Sequence, residues 1–174
     1  MPSKTQSILL GAAVAAVLSL VQLFLVINGG GTATQILGGA VCCLTAVFAG
    51  GGAVWHYTST HRLTIPAGTG AGIGAAATTL GYAIAYVLGE LLQLIGVVPS
   101  DAEIMERVRQ QTIQQNPQLD PEQLDQIMAM SESMSGIMGA AINLVILAII
   151  GAIIGAIAAS IFKKGLAGDD LDAV

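Results

Sequence analysis

Few residues in this chain have side chains that could do chemistry, and one of them stands apart. Glu90 is the only acid inside a long apolar run. A carboxylate at membrane depth is expensive and is by default a candidate for holding a ligand or carrying a proton. Tyr86 lies four residues before it and Gln93 three after, so the three share one helical face. Gln22 and Asn143 interrupt two other apolar runs. Counting by helical rise puts both in the same half of a bilayer as Glu90. The spacing therefore predicts a small polar pocket gathered from Glu90, Tyr86, Gln93, Gln22 and Asn143. The plainer alternative is that Glu90 marks the end of a hydrophobic core. At about 1.5 Å per residue it lies roughly 35 Å from Ala67, near the outer interface.

A second chemical reading attaches to GTGAGIGAAATTLG, from Gly68 to Gly81. A phosphate-cradling loop of the Gly-x4-Gly-Lys-Ser/Thr type needs a lysine, and this stretch has none. A dinucleotide fingerprint needs Gly-x-Gly-x-x-Gly after a strand, whereas these glycines recur at every second residue. The competing reading is helix packing. Gly70, Gly74 and Thr78 recur every four residues, as do Ala77, Gly81, Ala85 and Gly89. Small side chains at that interval make a groove in which two backbones approach closely. Gly151, Gly155 and Ala159 repeat the device later in the chain, and Gly11, Ala15 and Ser19 repeat it earlier.

The remaining candidates are weaker. His56 and His61 are five apart, which does not suit a zinc pair at i and i+4, and they read as interfacial polar residues. Cys42 and Cys43 are adjacent in an apolar run and read as small buried hydrophobes. No Ser–His–acid set, Cys–His pair or carboxylate dyad occurs at a credible spacing. The sequence thus points away from an enzyme, and no metal or cofactor is expected.

These residues need elements to hold them, and composition says which. The chain has 174 residues, 54% hydrophobic and 10% charged, against about 25% charged in a typical soluble domain. Lipid must cover the surplus apolar surface. Four membrane spans are expected, at about 8–27, 36–54, 67–94 and 136–162, in one all-α membrane domain. Twenty apolar residues suffice to cross a bilayer. The first run is longer than the core of a cleaved signal peptide and reads as a retained helix. Trp55 to Pro66 reads as a connection with interfacial aromatics, and Pro66 suits the first turn of a new helix.

Between the third and fourth spans, residues 100–135 form a polar insert. Ser100 with Glu103 reads as a capping box that starts one helix, with Ile104, Met105, Val108 and Thr112 along one face. Asp120 and Pro121 start a second, with a stripe of Leu124, Ile127, Met128, Met134 and Met138. That helix could run on into the fourth span. A helical hairpin outside the membrane is the expected form. Lys4, Arg62, Lys163 and Lys164 fall on one side of the membrane and only Arg107 and Arg109 on the other. This bias places both termini in the cytoplasm. Net charge is −5 and no basic patch exists to hold nucleic acid.

The layout of four spans, a polar helical insert and a glycine-rich last span ending in lysines resembles a bacterial family, the domain of unknown function 4199. The likeness is strongest in NPQLDPEQLDQIMAM (Asn116–Met130) and AIIGAIIGAIAASIFKKG (Ala148–Gly165). The resemblance implies no catalytic residue. It implies a place in the bacterial inner membrane and, from the genes found near its members, an accessory role beside a polyprenyl-phosphate glycosyltransferase. From the residues alone, the expected function is a non-catalytic accessory subunit that packs through Gly70, Gly74, Gly81, Gly89, Gly151 and Gly155. Its expected partners are the lipid bilayer and either a second copy of itself or another membrane protein. A small transporter or channel working through Glu90 is the alternative.

Overall fold

The computed structural model describes residues 3–28, 40–41, 44–133 and 136–162. Every regular element among them is helical. Helix α1 is Thr5–Asn28. A π-helical turn, Val47–Gly51, leads into α2, Gly52–His61. Helix α3 is Ala67–Leu94, α4 is Asp101–Gln115, α5 is Pro121–Ser133 and α6 is Gly136–Ile161. Three of these are long and apolar enough to cross a membrane: Thr5–Leu25, Ala67–Leu94 and Met138–Ile161. The second expected span, at 36–54, lies partly outside the described residues, as do Cys42, Cys43, Lys163 and Lys164.

The boundaries follow from local chemistry. Pro66 has extended backbone, and its carbonyl accepts from the amides of Thr69 and Gly70 to open α3. Proline suits this place because it has no amide hydrogen to leave unpaired. The helix ends where Gly96 adopts φ +74°, and the Val97 amide turns back to the Leu92 carbonyl at 2.9 Å. In α4 the Ser100 hydroxyl accepts from the Glu103 amide while the Glu103 carboxylate accepts from the Ser100 amide, a complete capping box.

One boundary corrects the reading of the sequence. Helix α2 does not stop at Val54 but continues to His61, and the connection shrinks to Arg62–Pro66. The residues between are polar enough to look like a loop. The Thr58 hydroxyl, however, donates back to the Val54 and Trp55 carbonyls at 3.0 and 3.1 Å, so the fully buried side chain carries no unpaired group. Arg62 then ends the helix in the left-handed region at φ 49°.

Packing inverts the usual order of a soluble core. Most of the buried apolar residues are alanines, among them Ala12, Ala15, Ala49, Ala53, Ala77 and Ala159, with Tyr57, Ile73 and Val54 as larger exceptions. The large apolar side chains face outward: Leu9, Val17 and Val21 on α1, Val87 and Leu91 on α3, Ile149, Ile153 and Ile157 on α6. Close backbone contact inside and branched side chains outside is the arrangement lipid favours. Helix α3 is central and packs against both α1 and α6.

Helices α4 and α5 are linked to one another by Arg109–Asp125 at 3.9 Å. An exposed pair of this kind contributes little. The Arg107 guanidinium donates to the Ile27 carbonyl at 3.2 Å, tying α4 to the last turn of α1. The face expected to be covered on α4 (Ile104, Met105, Val108 and Thr112) is half-buried throughout. On α5, Leu124 is buried and Met128 half-buried, whereas Ile127 is exposed, as is Met138 at the start of α6. Met134, and with it the continuity of α5 into α6, lies outside the described residues.

Candidate functional site

The five polar residues singled out in the sequence lie in one region but divide between two adjoining lobes of a cleft. Helix α3 turns Tyr86, Glu90 and Gln93 into a shallow lobe of about 240 Å³ against Ser19, Leu20 and Leu23 of α1. Val98 and Ile104, from the segment after α3, roof it. Gln22 and Asn143 line a deep lobe of about 390 Å³, walled among the described residues by α1, α3, α6 and the turn carrying Thr45 and Ala46. Ser19, Leu23 and Tyr82 border both lobes and form the junction.

Tyr82 is the residue that the sequence reading missed. It hydrogen-bonds the Asn143 side chain, joining α3 to α6. Its ring lies 6.5 Å from that of Tyr86, tilted by 36°. The signal was present: Tyr82, Tyr86 and Glu90 recur every four residues, a continuation of the face already drawn through Tyr86 and Glu90. The Gln93 amide donates to the Pro99 carbonyl at 3.2 Å and so holds the roof segment down. Glu90 is exposed, and no cation among the described residues pairs with it.

At Thr78 the deep lobe borders the α3–α6 crossing. The Thr78 hydroxyl reaches the Leu147 carbonyl of α6 at 3.1 Å, besides the Gly74 and Ala75 carbonyls of its own helix. Immediately beyond, Gly74 and Gly151 touch backbone to backbone, and Gly70 touches Gly155 in the same way. Gly50 joins this crossing: a Cβ there would lie 3.4 Å from the Gly151 carbonyl and 3.5 Å from the Gly74 Cα. Gly81 meets Ala12 and Ala15 of α1. Gly89 is different, with only a Leu23 methyl 3.8 Å from a Cβ built on it, so it borders the cleft instead of closing a crossing. The helices these glycines touch therefore belong to their own chain.

The model of the family described as Protein of unknown function (DUF4199) matches residues 7–164. The chain is a DUF4199 protein. No curated protein and no solved structure gives a match. The family's description assigns no activity, so the roles of residues in this DUF4199 chain rest on geometry. The match takes in every helix that lines the cleft.

At the opposite end of this DUF4199 bundle, a second polar group joins α1 to α2. The Ser7 hydroxyl, 1% exposed, lies 2.9 Å from His56 Nδ1. His61 stands edge-on to Tyr57 with ring centroids 5.1 Å apart. These contacts give both histidines structural partners. Among the described residues, no group of three or more His, Cys, Asp or Glu is arranged to hold a metal.

Proposed function

We propose that this DUF4199 protein is a four-span integral protein of the bacterial inner membrane, with both termini cytoplasmic, acting as a non-catalytic accessory subunit. The observation that supports this over a channel is the crossing of Gly74 with Gly151 and of Gly70 with Gly155. Backbone contact there leaves no room for a solute between α3 and α6, and Thr78, one turn from Gly74, lines the cleft above. The remaining span is the one expected at 36–54, whose described residues, 40–41 and 44–54, are helical. The segment Asp101–Ser133 carries the exposed side chains of Ile113, Ile127 and Met130 and is the part that meets a partner protein or a second copy. Methionine and isoleucine on an amphipathic face suit an adaptable contact.

The reading is tested by gentle purification of the full chain from its native membrane, with identification of what accompanies it. The purified protein is then assayed for solute flux in sealed liposomes. A stoichiometric membrane partner or a defined oligomer, with no flux, is the expected result. A strict monomer that carries ions or solutes would overturn the reading. Protease access to tags at the N-terminus and within residues 100–135, in sealed inverted vesicles, tests the orientation.

A further inference from the structure

We propose that the two-lobed cleft binds one ammonium-bearing amphiphile, with its chain in the deep lobe and its charged head beside Glu90. This goes beyond an accessory role and would hold for a subunit of any activity. Three independent features of the cleft converge on that chemistry.

The first is shape. The deep lobe, at about 390 Å³, falls within the range of roughly 300–1,000 Å³ that small-molecule sites occupy. It is walled mainly by Leu23, Ala46, Ile146, Leu147 and Ile150. The shallow lobe adjoins it, with Ser19, Leu23 and Tyr82 lining both. Thr78, lining the deep lobe, precedes Glu90 by 12 residues on one helix, about 18 Å at the helical rise. A mostly apolar lobe, with Gln22, Thr78 and Asn143 also in its lining, beside a lobe that carries a carboxylate suits a lipid-like molecule standing in one leaflet.

The second is charge. Among the described residues, Glu90 is the only charged one that lines either lobe. An anionic head would meet a carboxylate with no cation among the described lining residues to offset it, and like charges repel. A neutral head would leave the exposed carboxylate to water. An ammonium satisfies it.

The third is the aromatic pair. Tyr86 and Tyr82 sit about one and two helical turns before Glu90 and line the same lobe. Ring faces attract cations, ammonium groups among them. The Gln93–Pro99 hydrogen bond and the Arg107–Ile27 hydrogen bond hold the roof of Val98 and Ile104 over the head position.

The test uses the full chain in a neutral maltoside detergent, with bound molecules counted by native mass spectrometry. The probes are dodecylammonium, dodecanol, dodecyl sulfonate and methylammonium. In a second arm, phosphatidylethanolamine is compared with phosphatidylglycerol, which separates a membrane lipid from a soluble amphiphile as the source. One dodecylammonium per chain is expected, retained about tenfold better than dodecanol or dodecyl sulfonate. Glu90→Gln should abolish that preference without abolishing dodecanol binding, and Glu90→Lys should transfer it to dodecyl sulfonate. Equal retention of all three dodecyl probes would overturn the proposal. So would an unchanged preference in both Glu90 variants, or methylammonium binding as well as its dodecyl counterpart.

Discussion

Gly74 and Gly151 meet backbone to backbone: a Cβ added to Gly151 would lie 2.7 Å from the Gly74 carbonyl oxygen. Real Cβ atoms do not come so close, and a carbonyl within a helix has little freedom to retreat. The α3–α6 crossing is thus set by two hydrogen atoms where any other residue would place carbon.

Gly151→Ala is therefore expected to lower stability by about 1–3 kcal/mol, the usual range for an overpacked core site. The informative control is Gly72→Ala. Gly72 is in α3 between the crossing glycines, and nothing lies within 4 Å of a Cβ built on it. There the gain in helix propensity should leave stability unchanged or raised by up to about 1 kcal/mol. Thermal unfolding of both variants in the same detergent checks the contrast, and equal effects would sink the packing argument.

The pattern of small residues was legible because the membrane simplifies the problem. Lipid rewards large apolar side chains outside as much as a core would inside, so only the small residues mark the contact faces. Gly70, Gly74, Gly151 and Gly155 show this. Helix ends were legible wherever the chemistry is local, as at Pro66 and at the Ser100–Glu103 box. Helix α2 was not, since Trp55 to His61 is polar by composition. Its helical state depends on Tyr57 and Thr58 being buried by α1, α3 and α6, contacts a single sequence does not show. The cleft was half legible. Glu90, Tyr86 and Gln93 follow from one helix, while the pairing of Tyr82 with Asn143 requires knowing that α3 and α6 are neighbours.

Thr78 gives a sharper view of the same crossing. Its one hydroxyl hydrogen has the Leu147 carbonyl within reach across the helix interface and the Gly74 and Ala75 carbonyls along its own helix, and is shared among them. Thr78→Val keeps the shape and removes the hydroxyl. A loss of about 0.6 kcal/mol, and no more than about 1.7, is expected, as for interhelical hydrogen bonds in other membrane bundles. Unfolding in a graded mixture of denaturing and mild detergent measures it. No loss would mean that the contact to Leu147 adds nothing beyond packing.

Outside the bundle, the capping box should act locally. Ser100→Ala removes the acceptor for the Glu103 amide and is expected to cost α4 about 1 kcal/mol. The loss should appear as faster amide hydrogen exchange over Asp101–Gln115, with exchange in α3 and α6 unchanged. Because Ile104 roofs the shallow lobe, the same variant should also bind dodecylammonium more weakly. Unchanged exchange over α4 would show that tertiary contacts, and not the cap, hold this helix.

The Ser7–His56 pair fixes the other end, where the first helix enters the bundle. The Ser7 side chain is almost wholly buried and His56 is half-buried, with 2.9 Å between Oγ and Nδ1. Either atom can donate, depending on which ring nitrogen carries the hydrogen. Ser7→Ala leaves Nδ1 without this partner, and an unpaired polar group in a bundle costs about 1–3 kcal/mol when water cannot reach it. His56 is not wholly enclosed, so the lower part of that range is expected. His56→Ala exposes Ser7 to the same loss and also removes packing. The two changes share one bond, so their effects should not add. In a double-mutant cycle the pair should show a coupling of about 0.5–1.5 kcal/mol. Strict additivity would mean that the two side chains are merely adjacent, and that packing, such as that of Gly11 on Ala53, holds α1 against α2.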